Sequence, residues 1–416
     1  MKVVFLNPIA ELGGAERSLL DLLWSLRATE PDLQLEVLAF QPGPLLAAVA
    51  ALGVAARVVE MPDAQTRLGD SGLGLRTLTD LGRGLAAAPG FAHFLHRLRN
   101  EIRASSPDIL HSNGLKAHLL GAWVRPSGVP LVWHLRDFLS TRPVMRRILP
   151  RFESRAAAAI GISEAVSSDA RIVLRKVPVQ TVLNAVRTHD FADLAVEPAD
   201  LDRLAGLESS PSSTVRIGML ATHASWKGHA LFLEVARRVS GRRVRFYLVG
   251  GPLYVTSGSQ TETASLQASV TGAALGGSCG LIPFQQDPRP IYRALDVVVS
   301  ASTRPEPFGR TVAEAMAAGR TVVAPDSGGI PEQIADGVTG RLYRPGDAAA
   351  LAGILTELVA SPQDRARLGE AAARHAAVQL DARRLGRQVL EVYRGVVRAS
   401  VTDASARETR SAGRRR

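Results

Sequence analysis

Short β-branched runs alternate with longer stretches of helical pattern along most of the chain, and this alternation restricts the possible folds more than any other feature. Runs such as 2–7, 131–135 and 297–300 are almost continuously apolar, as expected of strands that are buried on both faces of a parallel sheet. Helical patterns such as 15–28 and 229–239 lie between them. Strands that alternate with helices favour right-handed βαβ units. The sequence therefore predicts an α/β fold built from doubly wound parallel sheets.

The predicted strands form two series, one in each half of the chain. The first series comprises 2–7, 35–40, 57–61, 109–112, 131–135, 159–163 and 179–184. The second series comprises 215–220, 244–249, 297–300, 321–324 and 340–343. The two halves match in this architecture and not in their residues, so the pattern predicts two similar domains rather than a sequence repeat.

A stretch without the alternation separates the two series. Residues 186–214 are rich in Pro, Gly and Ser, a composition that is typical of a linker. The sequence therefore predicts an N-terminal domain over 1–185 and a C-terminal domain over 215–380. We expect a helix at 381–400 to join the N-terminal domain, and we expect the polar, basic tail at 401–416 to be disordered.

Composition excludes several classes of protein. The chain is 46% hydrophobic and 21% charged, which is typical of a globular protein and excludes a mostly disordered one. The single cysteine, Cys279, excludes an intrachain disulfide framework and a cysteine-built metal site. The first apolar run, 3–6, is shorter than the core of a secretory signal, which needs about 7–15 apolar residues. We therefore expect a cytoplasmic protein.

The charge is basic but diffuse. Fifty Lys and Arg residues oppose 39 Asp and Glu, which gives a formal net charge of +11, and five of the arginines lie within 407–416. A thinly spread basic surface suits anionic phosphate substrates or acidic lipid headgroups, and we expect no nucleic-acid partner. A helical pattern over 91–104 places three arginines beside apolar residues. This helix either contacts a membrane surface or turns its apolar stripe to the core.

The segment Glu306–Glu314 points most directly to chemistry. It follows the predicted strand at 297–300 and opens a helix, and Gly309 between the two glutamates leaves room for a ligand to approach the backbone. Amide groups at a helix N-terminus suit a phosphate, because the helix dipole is positive there. The two carboxylates can accept hydrogen bonds from hydroxyl groups on either side of that phosphate. The alternative is that both glutamates are ordinary solvated residues of a loop and a first helical turn.

With the glycine-rich turn that follows at 326–329, this segment resembles the glycosyltransferases of family 4, also called the group 1 type. The paired-glutamate motif of that family, Glu-x7-Glu, matches Glu306 and Glu314. The resemblance covers roughly residues 1–399 and is stronger in the second half. It implies the GT-B fold, in which two Rossmann-like domains face a cleft. It also implies retaining transfer from a nucleoside-diphosphate sugar, which is a substrate, with no metal and no other cofactor.

The resemblance assigns roles to residues of the second half. It implies that Glu314 holds the ribose, that Glu306 holds hydroxyl groups of the donor sugar and acts in catalysis, and that Lys227 binds the diphosphate and offsets its charge. Phe284 lies where family members hold the nucleotide base through backbone contacts. The remaining donor-binding positions are Phe308, Gly309, Arg310 and Thr311, whose amides lie at the start of the helix.

In the first half, Gly14 follows the first strand in a pair of glycines and matches the loop that lies over the donor phosphate in the family. His134 ends a strand and matches a catalytic histidine, and Asn184 matches the asparagine that ends the first domain. One departure weakens the diphosphate site. Met219 stands at the position of the usual arginine, so Arg304 or Arg310 would have to compensate.

Other catalytic signatures are absent from the sequence. No Gly-x-Gly-x-x-Gly follows the first strand, and neither a P-loop nor a His-Glu-x-x-His segment occurs. The Asp-x-Asp pair at 200–202 lies in the predicted linker and not at a strand exit, where a metal-dependent transferase would need it. We interpret these acids as residues at a helix start or in solvent.

The sequence therefore predicts a retaining, metal-independent glycosyltransferase of polysaccharide, glycolipid or cell-envelope glycan synthesis. Its expected partners are a nucleotide-sugar donor and a glycan or lipid-linked acceptor, with peripheral contact at the inner face of the cell membrane. Two alternatives stay open: a nucleotide-sugar epimerase of the same fold, and a non-catalytic basic protein that binds anions or membranes. The sequence names neither the sugar, the base nor the acceptor, and acceptor loops such as 61–89 carry no readable code.

Overall fold

The structure is a computed structural model, and it describes residues 1–62, 88–239, 241, 243–251, 263–272, 275 and 277–413. The chain divides into two compact units. Unit 1 comprises Met1–Asn184 together with the chain from Ala382 onward, and unit 2 comprises Ala185–Asp381. Most of the predicted loop at 61–89 lies outside the described residues.

Unit 1 contains a seven-stranded parallel sheet with the strand order β3-β2-β1-β4-β5-β6-β7. Its strands are β1 (Lys2–Asn7), β2 (Gln34–Ala39), β3 (Ala55–Val58), β4 (Ile109–Asn113), β5 (Leu131–Leu135), β6 (Ala158–Gly161) and β7 (Val179–Thr181). The central strands β1, β4 and β5 are buried almost throughout, because helices cover both of their faces.

The helices of unit 1 connect these strands, and the last of them returns from the far end of the sequence. They are α1 (Gly14–Thr29), α2 (Pro44–Ala51), α3 (Ala88–Ser105), α4 (Leu115–Val124), α5 (Met145–Ile148), α6 (Glu164–Val173) and α15 (Arg383–Gly413), with a 3₁₀ helix at Leu149–Arg155. Helix α15 packs against α1, where the Gly386 amide donates to Ser25 Oγ at 2.8 Å. A Cβ at position 386 would lie 2.5 Å from the Ser25 carbonyl oxygen, so only glycine permits this approach.

Unit 2 contains a six-stranded parallel sheet with the order β10-β9-β8-β11-β12-β13. Its strands are β8 (Val215–Leu220), β9 (Val244–Gly250), β10 (Cys279–Pro283), β11 (Val297–Val299), β12 (Thr321–Pro325) and β13 (Arg341–Tyr343). Its helices are α7 (Thr188–Ala192), α8 (Leu201–Leu204), α9 (His229–Val239), α10 (Thr263–Gly272), α11 (Arg289–Ala294), α12 (Arg310–Ala317), α13 (Ala348–Ala360) and α14 (Pro362–Gln379), with a 3₁₀ turn at Ser225–Lys227. The α/β fold with two parallel sheets is thus confirmed.

Several elements differ from the expectations. The stretch 186–214, predicted as a linker, holds α7 and α8 and belongs to unit 2. The tail, predicted to be disordered from residue 401, continues α15 to Gly413, because Ala, Arg and Glu favour helix. Strand β10 was not among the predicted strands, since its glycine and proline weaken the strand pattern.

The apolar stripe of α3 faces the core of unit 1. Phe94, Leu98 and Ile102 are at most 1% exposed, whereas the arginines at 97, 99 and 103 are exposed. Of the two interpretations of this helix, the structure favours the core-facing one. In the described part of the chain, no helix has the length and apolar character needed to cross a bilayer.

Candidate active site

The predicted donor-binding residues of unit 2 lie in loops at the carboxyl edge of its sheet. The strand order reverses between β8 and β11, because β8 also pairs with β9 and β11 also pairs with β12. Ligands of open α/β sheets bind outside the carboxyl ends of the strands at such a reversal. The loop after β8 carries Lys227, and the loop after β11 carries Glu306.

Lys227 and Glu306 form a half-buried ion pair. Lys227 Nζ lies 2.7 Å from Glu306 Oε1, and the side chains are 18% and 8% exposed. Ser302 Oγ also donates to Glu306 Oε1. The same ammonium group lies 4.3 Å from the ring centroid of Trp226. The structure therefore brings together a cation and a carboxylate that the sequence predicts for different parts of the donor.

Gly228 fixes the loop that presents Lys227. Its φ is +80°, and a Cβ at this position would lie 1.8 Å from the carbonyl oxygen of Ala301. The Thr303 amide donates to the Trp226 carbonyl at 2.8 Å and ties the two loops together a second time. A residue with a side chain cannot replace Gly228 without separating the loop after β8 from the loop after β11.

The glycine-rich turn at 326–329 holds the backbone of Glu306. The Gly329 amide donates to the Glu306 carbonyl at 2.8 Å, and Glu306 and Gly328 form an isolated parallel bridge. A Cβ at Gly328, where φ is +66°, would lie 2.2 Å from the Glu306 carbonyl oxygen. The turn is therefore a backbone support for Glu306.

Gly309 opens helix α12 in a conformation that suits close approach. Its φ is +88°, and no side chain caps the first turn of the helix. A Cβ at Gly309 would lie 2.9 Å from Ile330 Cγ1, which excludes other residues. Gln333 Nε2 donates to the carbonyl of Phe308, whose side chain is buried. The start of α12 thus has no side-chain cap, and anion binding by its backbone amides stays a prediction.

Glu314 is buried in the same helix and held by two donors. Arg310 Nε donates to Glu314 Oε1 at 2.7 Å, and Tyr292 Oη donates to Glu314 Oε2 at 2.9 Å. Glu314 is 5% exposed, and Tyr292 is fully buried. The carboxylate is therefore fixed in orientation, while each oxygen keeps a lone pair for a hydroxyl group.

The other predicted positions of unit 2 fall at the same edge, with one exception. Phe284 follows β10 directly and is 47% exposed, and Thr311 lies in the first turn of α12. Met219, in contrast, is 2% exposed and packs in the hydrophobic core of unit 2, on the same face of β8 as Ile217. A side chain at position 219 points to the core, so this position does not decide how many cations face the loops. Arg310 pairs with Glu314, and Arg304 is exposed.

In unit 1, His134 ends β5 and belongs to a buried chain of three polar rings. Its Nδ1 lies 3.1 Å from His111 Nε2, and Tyr393 Oη of α15 lies 2.8 Å from His111 Nδ1. His134 is 3% exposed, and the other two residues are fully buried. Burial first, and then the charge of Arg136, lower the pKa of both histidines well below the usual range.

The hydrogen bonds assign the tautomer of His134. Burial raises the pKa of Tyr393 well above the usual range, so its hydroxyl keeps its proton. Among the described residues His111 is its only hydrogen-bond partner, so the hydroxyl donates to His111 Nδ1. Neutral His111 then carries its proton on Nε2 and donates to His134 Nδ1. His134 therefore carries its own proton on Nε2 and offers a donor there, not a base.

A second polar group follows the carboxyl ends of β1 and β4 in unit 1. Gly14 begins α1 and is exposed, with no atom within 4 Å of a Cβ built on it. Two residues later, Glu16 is 3% exposed and accepts from Asn7 Nδ2 at 3.5 Å. Burial raises the pKa of Glu16. Asn113 donates to Asn7 and accepts from Arg136 Nε, so these side chains form one connected network.

Asn184 is buried where the first stretch of unit 1 ends, and its Nδ2 donates to Ser18 Oγ of α1 at 2.9 Å. Asp200 caps α8 by accepting from the Arg203 amide at 3.0 Å, as interpreted from the sequence. Asp202 lies in the first turn of α8, also as interpreted from the sequence, and there it is buried and accepts from Tyr247 Oη at 2.6 Å. Within the described ranges, no three His, Cys, Asp or Glu side chains lie together as metal ligands would.

Comparisons with known protein families match residues in both units. The sequence model described as glycosyltransferase family 4 matches residues 12–190, and the model described as glycosyl transferases group 1 matches residues 208–375. Together they span both units, including the loops that carry Lys227, Glu306 and Glu314. The chain belongs to the group 1 glycosyltransferases.

Relatives of this glycosyltransferase agree with the family. D-inositol 3-phosphate glycosyltransferase 1 of Catenulispora acidiphila is 26% identical over 399 residues, which is 90% of either chain. The D-inositol 3-phosphate glycosyltransferase of Nocardia farcinica is 37% identical over 148 residues, which is 35% of this chain and 32% of the relative.

Solved structures show that the fold is GT-B. Anabaena HepE, determined in complex with UDP-glucose, has a TM-score of 0.79 at 23% identity and covers 95% of this chain and 100% of its own. Sucrose-phosphate synthase from Thermosynechococcus elongatus has a TM-score of 0.74 at 17% identity and covers 96% of this chain and 100% of its own.

The sequence of this glycosyltransferase did not indicate four residues that hold predicted site residues, two in each unit. Tyr292 and Tyr393 reach their partners from helices 22 and 282 residues away, and no local pattern signals such contacts. His111 lies on β4, next to the strand of His134, and Gln333 lies in the chain after β12. Ser302 was within reach of sequence reasoning, because it precedes Glu306 by four residues in the same strand exit.

Proposed function

We propose that this glycosyltransferase moves a sugar from a nucleoside-diphosphate donor to an acceptor hydroxyl group, with retained anomeric configuration and without a metal ion. One observation carries the proposal. A single loop and helix of unit 2 present Glu306, held by Lys227, and Glu314, held by Tyr292, on either side of the glycine that opens α12. This arrangement matches the three parts of such a donor: sugar, diphosphate and ribose.

The diphosphate would lie at the start of α12. An ammonium group has three N–H donors, and the ion pair with Glu306 uses one of them, so Lys227 can donate to phosphate oxygens as well. As the glycosidic bond breaks, negative charge grows on the departing phosphate oxygen. Lys227 and the amides of the first helical turn stabilise that charge, because their dipoles are oriented before the reaction begins.

The two carboxylates would orient the sugar and the ribose. Among the described residues, both donors to Glu306, Lys227 and Ser302, reach Oε1, which leaves Oε2 for a hydroxyl group of the sugar. Glu314 would accept from the ribose hydroxyls while Arg310 and Tyr292 hold it in place. Neither carboxylate has to attack carbon, so the pair serves binding and not the double displacement of a glycosidase. The catalytic role of His134 and the contact of Gly14 with the donor stay predictions.

Transfer can be tested with a panel of nucleoside-diphosphate sugars in thermal-shift assays, followed by product analysis. UDP-glucose is the first donor to test, because a protein of this fold binds it, and D-inositol 3-phosphate is the first acceptor, because relatives are named for it. We expect donor-dependent stabilisation and a product whose anomeric configuration, read by NMR, equals that of the donor.

Two variants locate the site. Glu314→Gln and Lys227→Ala should each reduce transfer at least a hundredfold, whereas the exposed Glu370→Gln should not change it. Circular dichroism verifies that the variants fold. Turnover near the original rate in both variants contradicts the assignment.

Release of free or epimerised sugar without an acceptor would favour the epimerase, and salt-sensitive DNA binding without donor-induced stabilisation would favour the non-catalytic alternative.

Peripheral contact with a membrane is also proposed, through Trp123, which lies beside Phe91 of the helix that the sequence suggested. Trp123 at the end of α4 is 54% exposed, and its ring centroid lies 6.3 Å from that of Phe91. An exposed tryptophan is typical of a membrane interface. Sedimentation with vesicles rich in anionic lipid should decrease severalfold in Trp123→Ser. Equal sedimentation of the variant and the original protein contradicts this contact.

A further inference from the structure

A cavity lies at the edge of the sheet of unit 2 opposite the candidate active site, at the amino ends of β8, β11 and β12. Its volume is about 400 Å³, within the range of small-molecule sites. Arg216 near the start of β8, Arg293 on α11 and Arg320 just before β12 contribute guanidinium groups to its wall. None of the proposed donor-binding residues lines it.

The three guanidinium groups lack carboxylate partners in the described part of the chain. Arg293 Nε is buried and has no hydrogen-bond partner there. Arg320 donates only to the carbonyl oxygens of Ala318, at 2.9 Å, and Leu295, at 3.2 Å. No ion pair of Arg216 occurs among the described residues either. Burial, and then the charge of Arg293, lower the pKa of Arg320, and the charge of Asp296 acts in the opposite direction, so both Arg293 and Asp296 lie near this guanidinium group.

The acids of the same cavity already have partners. Asp296 accepts from the Arg216 amide at 2.7 Å. Asp202 accepts from Tyr247, Ser210 and Arg245. Asp200 accepts from the Arg203 amide, but its side chain is 56% exposed and can take further hydrogen bonds. The unmatched groups are therefore cations, and a dianion would pair with them.

We propose that this cavity binds a phosphate monoester of a small polyhydroxylated molecule, with the phosphate held by Arg216, Arg293 and Arg320 and a hydroxyl group by Asp200. Guanidinium groups match the tetrahedral oxygens of phosphate. A bare phosphate ion would fill only part of 400 Å³, so the rest of the cavity takes the carbon skeleton.

The cavity is connected to Glu314 through two short elements. Arg293 follows Tyr292 on α11, and Tyr292 Oη donates to Glu314. Arg320 follows α12, and its amide donates to the carbonyl of Ala315, the residue after Glu314. A ligand that holds Arg293 and Arg320 therefore restrains both elements that position Glu314. We infer that this ligand strengthens donor binding. The strengthening rests on the proposed function, whereas binding of the ligand in the cavity is independent of it.

Calorimetric titration with glucose 6-phosphate, without donor, tests the cavity. We expect saturable binding that weakens at least tenfold in Arg216→Gln/Arg293→Gln. Binding should persist in Arg374→Gln, which alters an exposed arginine, and in Glu314→Gln, which alters the donor site. If the double variant does not fold, the half-buried Arg216→Gln alone should still weaken binding. Absent binding, or equal binding in these cavity variants, overturns the proposal, and loss of binding in Glu314→Gln would place the ligand in the donor site.

Two further titrations define the ligand and the coupling. Inorganic phosphate should bind at least tenfold more weakly than glucose 6-phosphate, and equal affinity would overturn the assignment of a carbon skeleton. At saturating glucose 6-phosphate, the Kd for UDP should fall about fivefold, the lower range of allosteric coupling. An unchanged Kd for UDP overturns the coupling alone, and absence of any UDP binding overturns the proposed function while leaving the cavity intact.

Discussion

At the scale of single residues, the notable feature is that the acidic groups of the candidate site are held by donors of the protein before any ligand binds. Glu306 accepts from Lys227 and Ser302, and Glu314 accepts from Arg310 and Tyr292. A carboxylate oriented in this way loses little conformational freedom when it binds a hydroxyl group. The free energy of orientation is supplied by folding, so these partners should influence ligand affinity.

Tyr292→Phe tests this influence. The variant keeps the buried ring but removes the donor to Glu314 Oε2, so the carboxylate can rotate, and we expect the Kd for UDP to rise about tenfold, roughly the worth of one hydrogen bond to a charged group. Calorimetry measures the change. Tyr247→Phe is the matched control, because Tyr247 is also buried and also donates to a carboxylate, that of Asp202. If both variants weaken UDP binding equally, Tyr292 has no specific role in the site.

Tyr393→Phe tests the assigned tautomer of His134. Without the hydroxyl donor, His111 Nδ1 loses the bond that keeps its proton on Nε2, so both histidines should populate their other tautomers. Nitrogen-15 NMR of the imidazoles reports this directly: we expect a protonated Nε2 of His134 in the original protein and a mixture in the variant. Tyr343→Phe, which removes a bond to the Ser300 carbonyl, should leave the spectrum unchanged. A single unaltered tautomer in Tyr393→Phe contradicts the assignment.

At the scale of elements, glycines join the loops of neighbouring strands. Gly228 brings the loop after β8 against the Ala301 carbonyl, and Gly328 brings the turn after β12 against Glu306. Each has a positive φ and no room for a side chain. The candidate site therefore depends on three strand exits that are held together by backbone contacts.

The variants Gly228→Ala and Gly337→Ala distinguish the cost of a strained backbone from the cost of a lost contact between loops. Both glycines have a positive φ, +80° and +73°, but a Cβ at Gly337 meets no atom within 4 Å. Gly337→Ala should lower the free energy of unfolding by about 1 kcal/mol, the cost of the left-handed conformation, without changing UDP affinity. Gly228→Ala should cost more and weaken UDP binding, because the loop with Lys227 must move. Urea denaturation and calorimetry measure both effects, and indistinguishable variants would contradict the role of Gly228.

The sequence could predict elements better than their contacts. Strand β8 was predicted residue for residue, because Val215–Leu220 is mostly apolar and Arg216 is its only charged residue. The burial of Met219 was also predictable, since it alternates with Val215 and Ile217 on one face of that strand. Tyr292, the partner of Glu314 in unit 2, and Tyr393, the partner of His111 in unit 1, were not predictable, because each contact joins helices or strands that are distant in the sequence. The cavity of arginines was equally hidden, since its residues come from four separate segments.

At the scale of the whole molecule, unit 1 contains three fully or almost fully buried histidines, His111, His118 and His134. Burial lowers the pKa of His118 to about 3, and it lowers the pKa values of the other two well below the usual range. These residues stay neutral in the folded protein at pH values where they are protonated in the unfolded chain. Their presence makes the stability of unit 1 sensitive to acid.

Acidification should therefore destabilise unit 1. Below pH 6.5 the unfolded state binds more protons than the folded state, so the free energy of unfolding falls with pH until the folded-state pKa is reached, about 3 for His118. At pH 5, His118 alone should lower the free energy of unfolding by about 2 kcal/mol. Glu16, whose pKa is raised, acts in the opposite direction but is one group against three. Urea denaturation at pH 7.5 and pH 5 measures the loss.

The exposed His96→Gln is the control and should keep the same pH dependence, whereas His118→Asn should reduce the slope by about one proton. A free energy of unfolding that is equal at the two pH values would contradict the buried neutral state of these histidines.

The position of α15 has a consequence for synthesis on the ribosome. Ser25 and Gly386 are in contact although 361 residues separate them, so unit 1 is completed by a segment that is translated after all of unit 2. Unit 2 is continuous and can close as soon as Asp381 has left the exit tunnel. Until then the nascent N-terminal half exposes the face of α1 and the ring of His111 that α15 later covers. The half that is made first therefore completes its own packing last.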